Sequence, residues 1–117
     1  MNKRQIGFDK ENMAERYLAD IGYHIIQKNF YCSAGEIDII AEDEEYLCFI
    51  EVKYRENADN GFPEEAVDYR KIKHITRSAV YYMNKHGVPE DSPVRFDVVS
   101  ILGDNIKIIK NAFDAIM

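Results

Sequence analysis

Two acidic residues and one lysine lie where two short strands are expected, and side chains of these types could bind a metal ion. Asp38 lies in GEIDIIA at 35–41, and Glu51 and Lys53 lie two residues apart in FIEVKYR at 49–55. Alternate residues of a strand point to the same face, so Glu51 and Lys53 share a face at a spacing of roughly 6–7 Å. Ionised groups in apolar strands cost free energy unless they are paired or bind a metal. The three residues therefore define a candidate site.

These residue types are those of metal-assisted phosphodiester hydrolysis. Mg²⁺ takes one or two carboxylates and keeps several waters, which leaves positions for a phosphate oxygen. A bound metal lowers the pKa of a water and offsets charge on the phosphate, and a neighbouring lysine can orient that water or stabilise the transition state. Asp38, Glu51 and Lys53 suffice in kind for this chemistry. The alternative is a solvent-facing Glu51–Lys53 pair that contributes little to stability.

The two segments are expected to form a hairpin that places the three residues on one face. The acidic segment Glu42–Glu45 has a normal length for a hairpin turn, and we interpret it as a solvated connection. Symmetric pairing about this turn sets Asp38 opposite Phe49 and diagonal to Glu51, whereas a shift of one residue would move Asp38 to the other face. The opposite face would pack into the core through Ile37, Ile39, Ile50 and Val52.

The rest of the chain supplies the elements that position this hairpin. The apolar spacing predicts one α/β domain, residues 1–117, with helices packed on a mixed sheet. In order we expect a flexible arm at 1–8, a helix at 9–21, strands at 23–31, 36–41 and 46–54, a helix that opens at Pro63 and carries Asp68 on its inward stripe, strands at 94–102 and 106–110, and a tail at 111–117. The tail would dock on the core or on another copy. The polar loop 55–62 is either a substrate gate or a plain connection.

Charged residues on both predicted helices could contribute to the site. Glu11 lies in the first turn of the first helix and could reach toward the sheet, although the helix dipole also favours acids there. On the far side of the second helix, bases recur at the spacing of one helical face, which suits either a phosphate-binding strip or a solvated surface. These bases are Arg70, Lys73 and Arg77, with Lys71 nearby.

The net charge of −6 argues against a nucleic-acid partner, but the charge is unevenly distributed. Residues 36–65 hold eleven acids and two bases, so the remainder carries +3. A dense acidic cluster suits divalent cations, and a solvated loop would give the same count.

The two cysteines form no CxxC pair, and Cys48 is expected to be a small core hydrophobe. With no apolar run near 18 residues and no leader pattern, we expect no membrane span, no signal peptide and a cytoplasmic location.

A set of motifs, in this order, resembles the YraN-like family of small, largely uncharacterised bacterial proteins. The motifs are G-x₃-E at Gly7 and Glu11, AERYL at 14–18, GEIDIIA at 35–41, FIEVKYR at 49–55, EEAVDYRK at 64–71 and RFDVV at 95–99. That family is placed in the restriction-endonuclease-like PD-(D/E)xK superfamily, near the archaeal Holliday-junction resolvases. The resemblance covers nearly the whole chain.

The resemblance implies a restriction-endonuclease-like αβββαβ core and a nuclease site that uses Mg²⁺ or Mn²⁺. Asp38 and Glu51 would bind the metal, with Glu11 as an auxiliary ligand, and Lys53 would position the attacking water. The substrate would be nucleic acid, first of all DNA with branched, single-stranded or end structures. A symmetric homodimer would be consistent with the likeness to the resolvases.

Other residues would have supporting roles, and other functions would suit the same fold. Glu36 matches a family position and would either support the ligands from outside or form a salt bridge; we expect Arg55 to support the ligands as well. The residues expected to bind nucleic acid are Arg70, Lys71, Lys73 and Arg77. The alternative to a nuclease is a non-catalytic nucleic-acid-binding or recruitment module. A third hypothesis is an interaction protein that uses its edge strand and tail and binds no nucleic acid.

Overall fold

A five-stranded mixed sheet with its strands in sequence order forms the centre of the molecule. The structure, a computed structural model, describes residues 2–116. Its elements are α1 (Lys3–Asp20), β1 (His24–Cys32), β2 (Gly35–Asp43), β3 (Tyr46–Arg55), a 3₁₀ turn (Pro63–Ala66), α2 (Tyr69–Lys85), β4 (Val94–Leu102) and β5 (Asn105–Ile109). The predicted α/β class and element order are confirmed, and the arrangement is consistent with a restriction-endonuclease-like core.

The pairing of the strands follows from the lengths of their connections. β1, β2 and β3 pair antiparallel through short turns, as do β4 and β5. β3 and β4 pair parallel, from Leu47↔Val94 to Arg55↔Leu102. A parallel pair requires a long crossover, which α2 supplies. β3 thus lies in the middle of the sheet, and its residues Cys48–Glu51 are buried.

One apolar cluster on each side of the sheet anchors one helix. The α1 side consists of Ala14, Leu18, Tyr23, Ile39, Ala41, Cys48, Ile50, Val99 and Ile101. The α2 side consists of Phe30, Ile37, Ile40, Phe49, Ile75, Ala79, Tyr82 and Phe96. Cys48 is a free, fully buried core residue, as predicted, and burial raises the pKa of its thiol to about 12. Neither helix, as described within residues 2–116, is long and apolar enough to cross a membrane.

α1 begins at Lys3, where the apolar pattern predicts a flexible arm. A capping box fixes this start: the Gln5 N–H donates to Asn2 Oδ1 at 2.9 Å, and the Asn2 N–H donates to Gln5 Oε1 at 3.1 Å. The expected flexible arm is therefore wrong for residues 3–8, and Met1 lies outside the described residues. The pattern misses these turns because most of their side chains are exposed, so they carry no inward apolar stripe.

The second helix is divided in two, where the pattern predicts one continuous helix from Pro63. The 3₁₀ turn ends at Ala66, and α2 starts after Asp68, whose backbone is extended (φ −89°, ψ 179°). Asp68 is the N-cap, since the Lys71 N–H donates to its Oδ1 at 2.9 Å. Its expected place on the inward stripe is thus wrong. Aspartate is favoured at an N-cap, so α2 begins after Asp68 instead of continuing from the 3₁₀ turn.

A buried ionic network joins the end of β2 to β4. Asp97 is fully buried and accepts bonds from Arg95 (2.9 Å), the Tyr23 hydroxyl (2.7 Å) and a backbone N–H of the tail. Arg95 also pairs with Asp43 at 2.7 Å, and hydrogen bonding from Arg95 lowers the pKa of Asp43. Because each charge is paired, the network tolerates burial.

Residues 111–116 of the C-terminal tail dock on the core, which was the first of the tail's two expected positions, and Met117 lies outside the described residues. The ring of Phe113 stacks on that of Phe96 with centroids 5.2 Å apart, and the Ile116 N–H donates to Thr76 Oγ1 at 3.1 Å. The expected edge strand is confirmed as β5, with the exposed Lys107 paired to Glu64 at 3.0 Å.

Candidate active site

The hairpin that carries the predicted site is tighter than expected. Its ladder runs from Asp43↔Tyr46 to Ile39↔Ile50, so the turn contains two residues and not four. The expected pairing of Asp38 with Phe49 is therefore wrong, since Phe49 lies opposite Ile40. The error is two residues, an even number, which preserves the face that a strand presents.

Asp38 lies at a kink where β2 separates from β3. The backbone ladder between these strands stops at Ile39, and the Val52 N–H donates to Asp38 Oδ2 at 2.8 Å. Ile37 packs on the α2 side and Ile39 on the α1 side, so the alternation of side chains breaks at Asp38. Across from the kink, Asn29 has a left-handed backbone (φ 53°). The expected packing of Ile37 with Ile39 is wrong for this reason.

Glu51 is the most deeply buried acid of the site. Only 4% of it is exposed; its Oε1 pairs with Lys53 at 3.5 Å and with Lys71 at 3.4 Å, while Oε2 is buried without a hydrogen-bond partner. Burial, and after it the charge of Asp38, raise the pKa of Glu51 to about 7 against the lowering effect of Lys71 and Lys53. Glu51 thus carries a carboxylate oxygen with unused capacity to accept a bond.

Three more acids form a single electrostatic group with Glu51. Asp38 is 9% exposed, and burial raises its pKa, opposed by the Val52 N–H and aided by the charge of Glu36. The pKa of Glu11 is also raised, first by burial and then by Asp38 and Glu36. Like charges in one desolvated place disfavour joint ionisation. Such a group is stabilised by added positive charge.

An open cleft of about 450 Å³ between α1, the kinked hairpin and α2 contains the group. Its acidic lining residues are Glu11, Glu36, Asp38 and Glu51, and its basic ones are Lys3, Arg4, Lys10, Lys53 and Lys71. The structure therefore brings together six of the residues that the sequence singles out, from both sides of the sheet. Lys3, Arg4 and Lys10 were not predicted, since the arm that carries two of them was not expected to be helical.

Four predicted residues are not among those that line the cleft: Arg55, Arg70, Lys73 and Arg77. The Arg55 carbonyl accepts the Gly103 N–H at 2.8 Å, while its side-chain Nε is buried without a partner. The exposed residues Arg70 and Arg77 lie on α2. Lys71 differs from these neighbours because it reaches Glu51.

The donor set suits a hard cation held by two protein ligands. Residues 2–116 contain no group of three or more His, Cys, Asp or Glu side chains arranged to hold a metal ion, so Glu11 does not complete a three-carboxylate site in this conformation. Mg²⁺ typically uses one or two carboxylates and fills its other positions with water and phosphate oxygens. Asp38 and Glu51, with the partnerless Oε2 of Glu51, fit that requirement.

Comparison with known proteins gives one consistent result. A sequence model described as "Uncharacterised protein family UPF0102" matches residues 10–101. A "UPF0102 protein" of Lachnoclostridium phytofermentans is 50% identical, with 98% of each chain covered. A "UPF0102 protein" of Persephonella marina is 42% identical over 92% of each chain, and one of Caldicellulosiruptor bescii is 40% identical over 97% of this chain and 100% of its own. These names give a family and no activity.

Proposed function

The chain belongs to the uncharacterised protein family UPF0102, and we propose that it is a divalent-metal-dependent nuclease that hydrolyses phosphodiester bonds of DNA. The observation that carries the proposal is Glu51, a buried acid with one carboxylate oxygen unpaired, set beside Asp38 and two lysines. Burying such a group costs free energy, and a cation bound there would offset the cost. The resemblance to the PD-(D/E)xK superfamily supports the same activity.

Each residue of the group has a distinct role in the proposed reaction. Asp38 and Glu51 would hold Mg²⁺ or Mn²⁺, which when bound supplies an acidified water and positive charge beside the phosphate. Lys53, 3.5 Å from Glu51, orients the attacking water and stabilises the charge that develops on the phosphate oxygens. Lys71 holds Glu51 from α2. The attacking water loses a proton to the solvent as its oxygen bonds to phosphorus, the bond from phosphorus to the leaving oxygen breaks, and the leaving oxygen takes up a proton.

A second candidate is a nucleic-acid-binding or recruitment module without hydrolysis. The observation that favours it is the lack, within residues 2–116, of a ready three-ligand metal group. In that function the acids and lysines of the cleft would be a paired cluster, and binding would depend on the basic residues alone.

Cleavage assays separate these two functions. Labelled single-stranded, flapped, four-way-junction and duplex DNA are incubated with Mg²⁺ or Mn²⁺, and with EDTA as the metal-free arm. We expect metal-dependent cleavage that falls by about 10²-fold or more in Asp38→Asn, Glu51→Gln and Lys53→Ala. Glu45→Gln, in the exposed turn, is the matched control and should cut normally.

Direct metal binding completes the test. Calorimetry with Mn²⁺ should show binding to the wild-type protein and a marked loss of affinity in Asp38→Asn. The nuclease proposal is wrong if Lys53→Ala cuts as fast as wild type, or if no substrate is cut. Binding of DNA that is never cut and is indifferent to Asp38→Asn would establish the binding module instead.

A further inference from the structure

Two exposed aromatic rings line the same cleft as the acidic group. Phe8 of α1 is 59% exposed and Tyr31 of β1 is 68% exposed, and both contribute to the cleft wall. Neither ring is among the residues packed in the two apolar clusters. Core packing therefore does not account for their position.

The rings are surrounded by charges that suit a phosphate backbone. Lys3, Arg4 and Phe8 belong to the first two turns of α1, and residues four apart on a helix lie on one face, as Arg4 and Phe8 do. On the other wall, Tyr31 pairs across the ladder with Glu36, whose charge raises the pKa of Asp38. The aromatic rings, the basic side chains and the acidic group thus occupy one continuous surface.

Aromatic rings beside basic side chains form the usual binding surface for unpaired nucleotides. A base in single-stranded nucleic acid exposes a flat π-face that a protein ring can cover, while the bases of a continuous duplex are covered by their neighbours. Basic side chains follow the backbone, and stacking is tolerant of sequence. A surface that binds duplex alone would need basic side chains and no exposed aromatic rings.

We infer that Phe8 and Tyr31 stack on unpaired nucleobases, so that the cleft takes single-stranded nucleic acid or single-stranded segments of branched and overhanging substrates. This rests on the proposed function for its position beside the reacting phosphate. The recognised chemistry, a flat base on a charged backbone, is common to DNA and RNA. Continuous duplex is the substrate that this arrangement disfavours.

Binding without cleavage is measured first. Fluorescence anisotropy in EDTA compares labelled oligo(dT), oligo(U) and a duplex of the same length, which separates DNA from RNA as the source of the bases. We expect tighter binding of the single strands than of the duplex, and about a tenfold loss of single-strand affinity in Phe8→Ala or Tyr31→Ala. Tyr31→Phe, which keeps the ring and removes the hydroxyl, should bind as wild type does.

The matched control is Tyr69→Ala. Tyr69 is 64% exposed, like Tyr31, but it lies at the start of α2 and is not among the residues that line the cleft. It should bind single strands normally. Circular dichroism of each variant checks that the fold is kept, as expected for side chains with this exposure.

A spectroscopic readout tests stacking itself. The chain contains no tryptophan, so Tyr31→Trp introduces a single indole into the cleft, which can be excited at wavelengths that tyrosine does not absorb. Its emission should be quenched by oligo(dT) and changed much less by the duplex. Equal affinity of the alanine variants and wild type, or binding of oligo(dT) with no quenching, would overturn the inference.

The two proposals fail in different ways. Quenching and ring-dependent binding with no cleavage would refute the nuclease and leave the stacking surface in place. Metal-dependent cleavage of continuous duplex that is unchanged in Phe8→Ala and Tyr31→Ala would refute the stacking surface and leave the nuclease in place. Failure to bind any of the three oligonucleotides at low salt also refutes the stacking surface.

Discussion

The cost of burying Glu51 connects stability to the proposed chemistry at the scale of single residues. A carboxyl with a pKa raised above 4.5 binds more protons in the folded protein than in the unfolded chain. Its contribution to stability is therefore complete at low pH and is lost as the pH rises from the unfolded pKa to the folded value of about 7. Above that pH the folded protein carries an incompletely paired buried charge. Sites that bind metals or substrates commonly retain such costs.

We predict that Glu51→Gln stabilises the metal-free protein above pH 7. The neutral amide removes the penalty of a buried charge, and Lys53 and Lys71 are both partly exposed and can be solvated. In EDTA at pH 8 the melting temperature should rise by roughly 4 °C, or about 1 kcal/mol, with a smaller gain at pH 5, where Glu51 is already protonated. Glu45→Gln should change neither value. A lower melting temperature at pH 8 would show that the two ion pairs outweigh the burial cost.

The sequence predicts that Glu51 and Lys53 share a face because the alternation of side chains along a strand is a local rule. Glu51 and Lys53 share a strand, and their common face needs only a period of two. Asp38 depends on pairing between strands, and there the predicted register was wrong by two residues. The kink at Asp38 and the left-handed Asn29 opposite it leave no mark in the apolar pattern. The roles of Phe8 and Tyr31 depend on how α1 lies over the sheet, which no local pattern encodes.

At the scale of elements, the first two turns of α1 determine the shape of the cleft. They pack little against the sheet and are held by the capping box at Asn2. The sequence predicts strands and core helices well, because their apolar residues recur with the period of the element. It predicts these turns poorly, because a mostly exposed helix start is encoded by its cap and not by burial. The start of α2 was predicted wrongly for the same reason, because it is set by the N-cap Asp68 and not by the apolar pattern.

We predict that Gly7→Ala stabilises α1. Glycine in a helix interior costs about 1 kcal/mol relative to alanine, and a methyl group at this position would meet no atom within 4 Å. The melting temperature should rise by roughly 4 °C, with a small increase in helical circular dichroism. Gly22→Ala is the contrasting variant, because Gly22 has φ of 104° and should lose stability on substitution. No gain in Gly7→Ala would mean that these turns are frayed in solution.

At the scale of the whole molecule, charge is separated between the cleft and the rest of the surface. The chain carries −6, yet five bases and four acids line the cleft. A polyanion is therefore repelled by most of the surface and attracted chiefly to the cleft rim or to the basic side of α2. Arg70, Lys73 and Arg77 stay a prediction for the second of these paths. The salt dependence of binding distinguishes the two paths, because each neutralised phosphate contributes to the slope.

We predict that single-stranded DNA follows the cleft rim, so Lys3 and Arg4 contribute to binding more than the strip on α2 does. In Lys3→Ala/Arg4→Ala the slope of log Kd against log salt should fall by about 1.4, or about 0.7 for each lost phosphate contact. Arg70→Ala/Arg77→Ala removes the same charge from exposed positions outside the cleft lining, and its slope should stay near that of wild type. Titrations of oligo(dT) at several salt concentrations measure both slopes. The opposite ranking would place the backbone on α2 and leave only Lys71 to connect that path to Glu51.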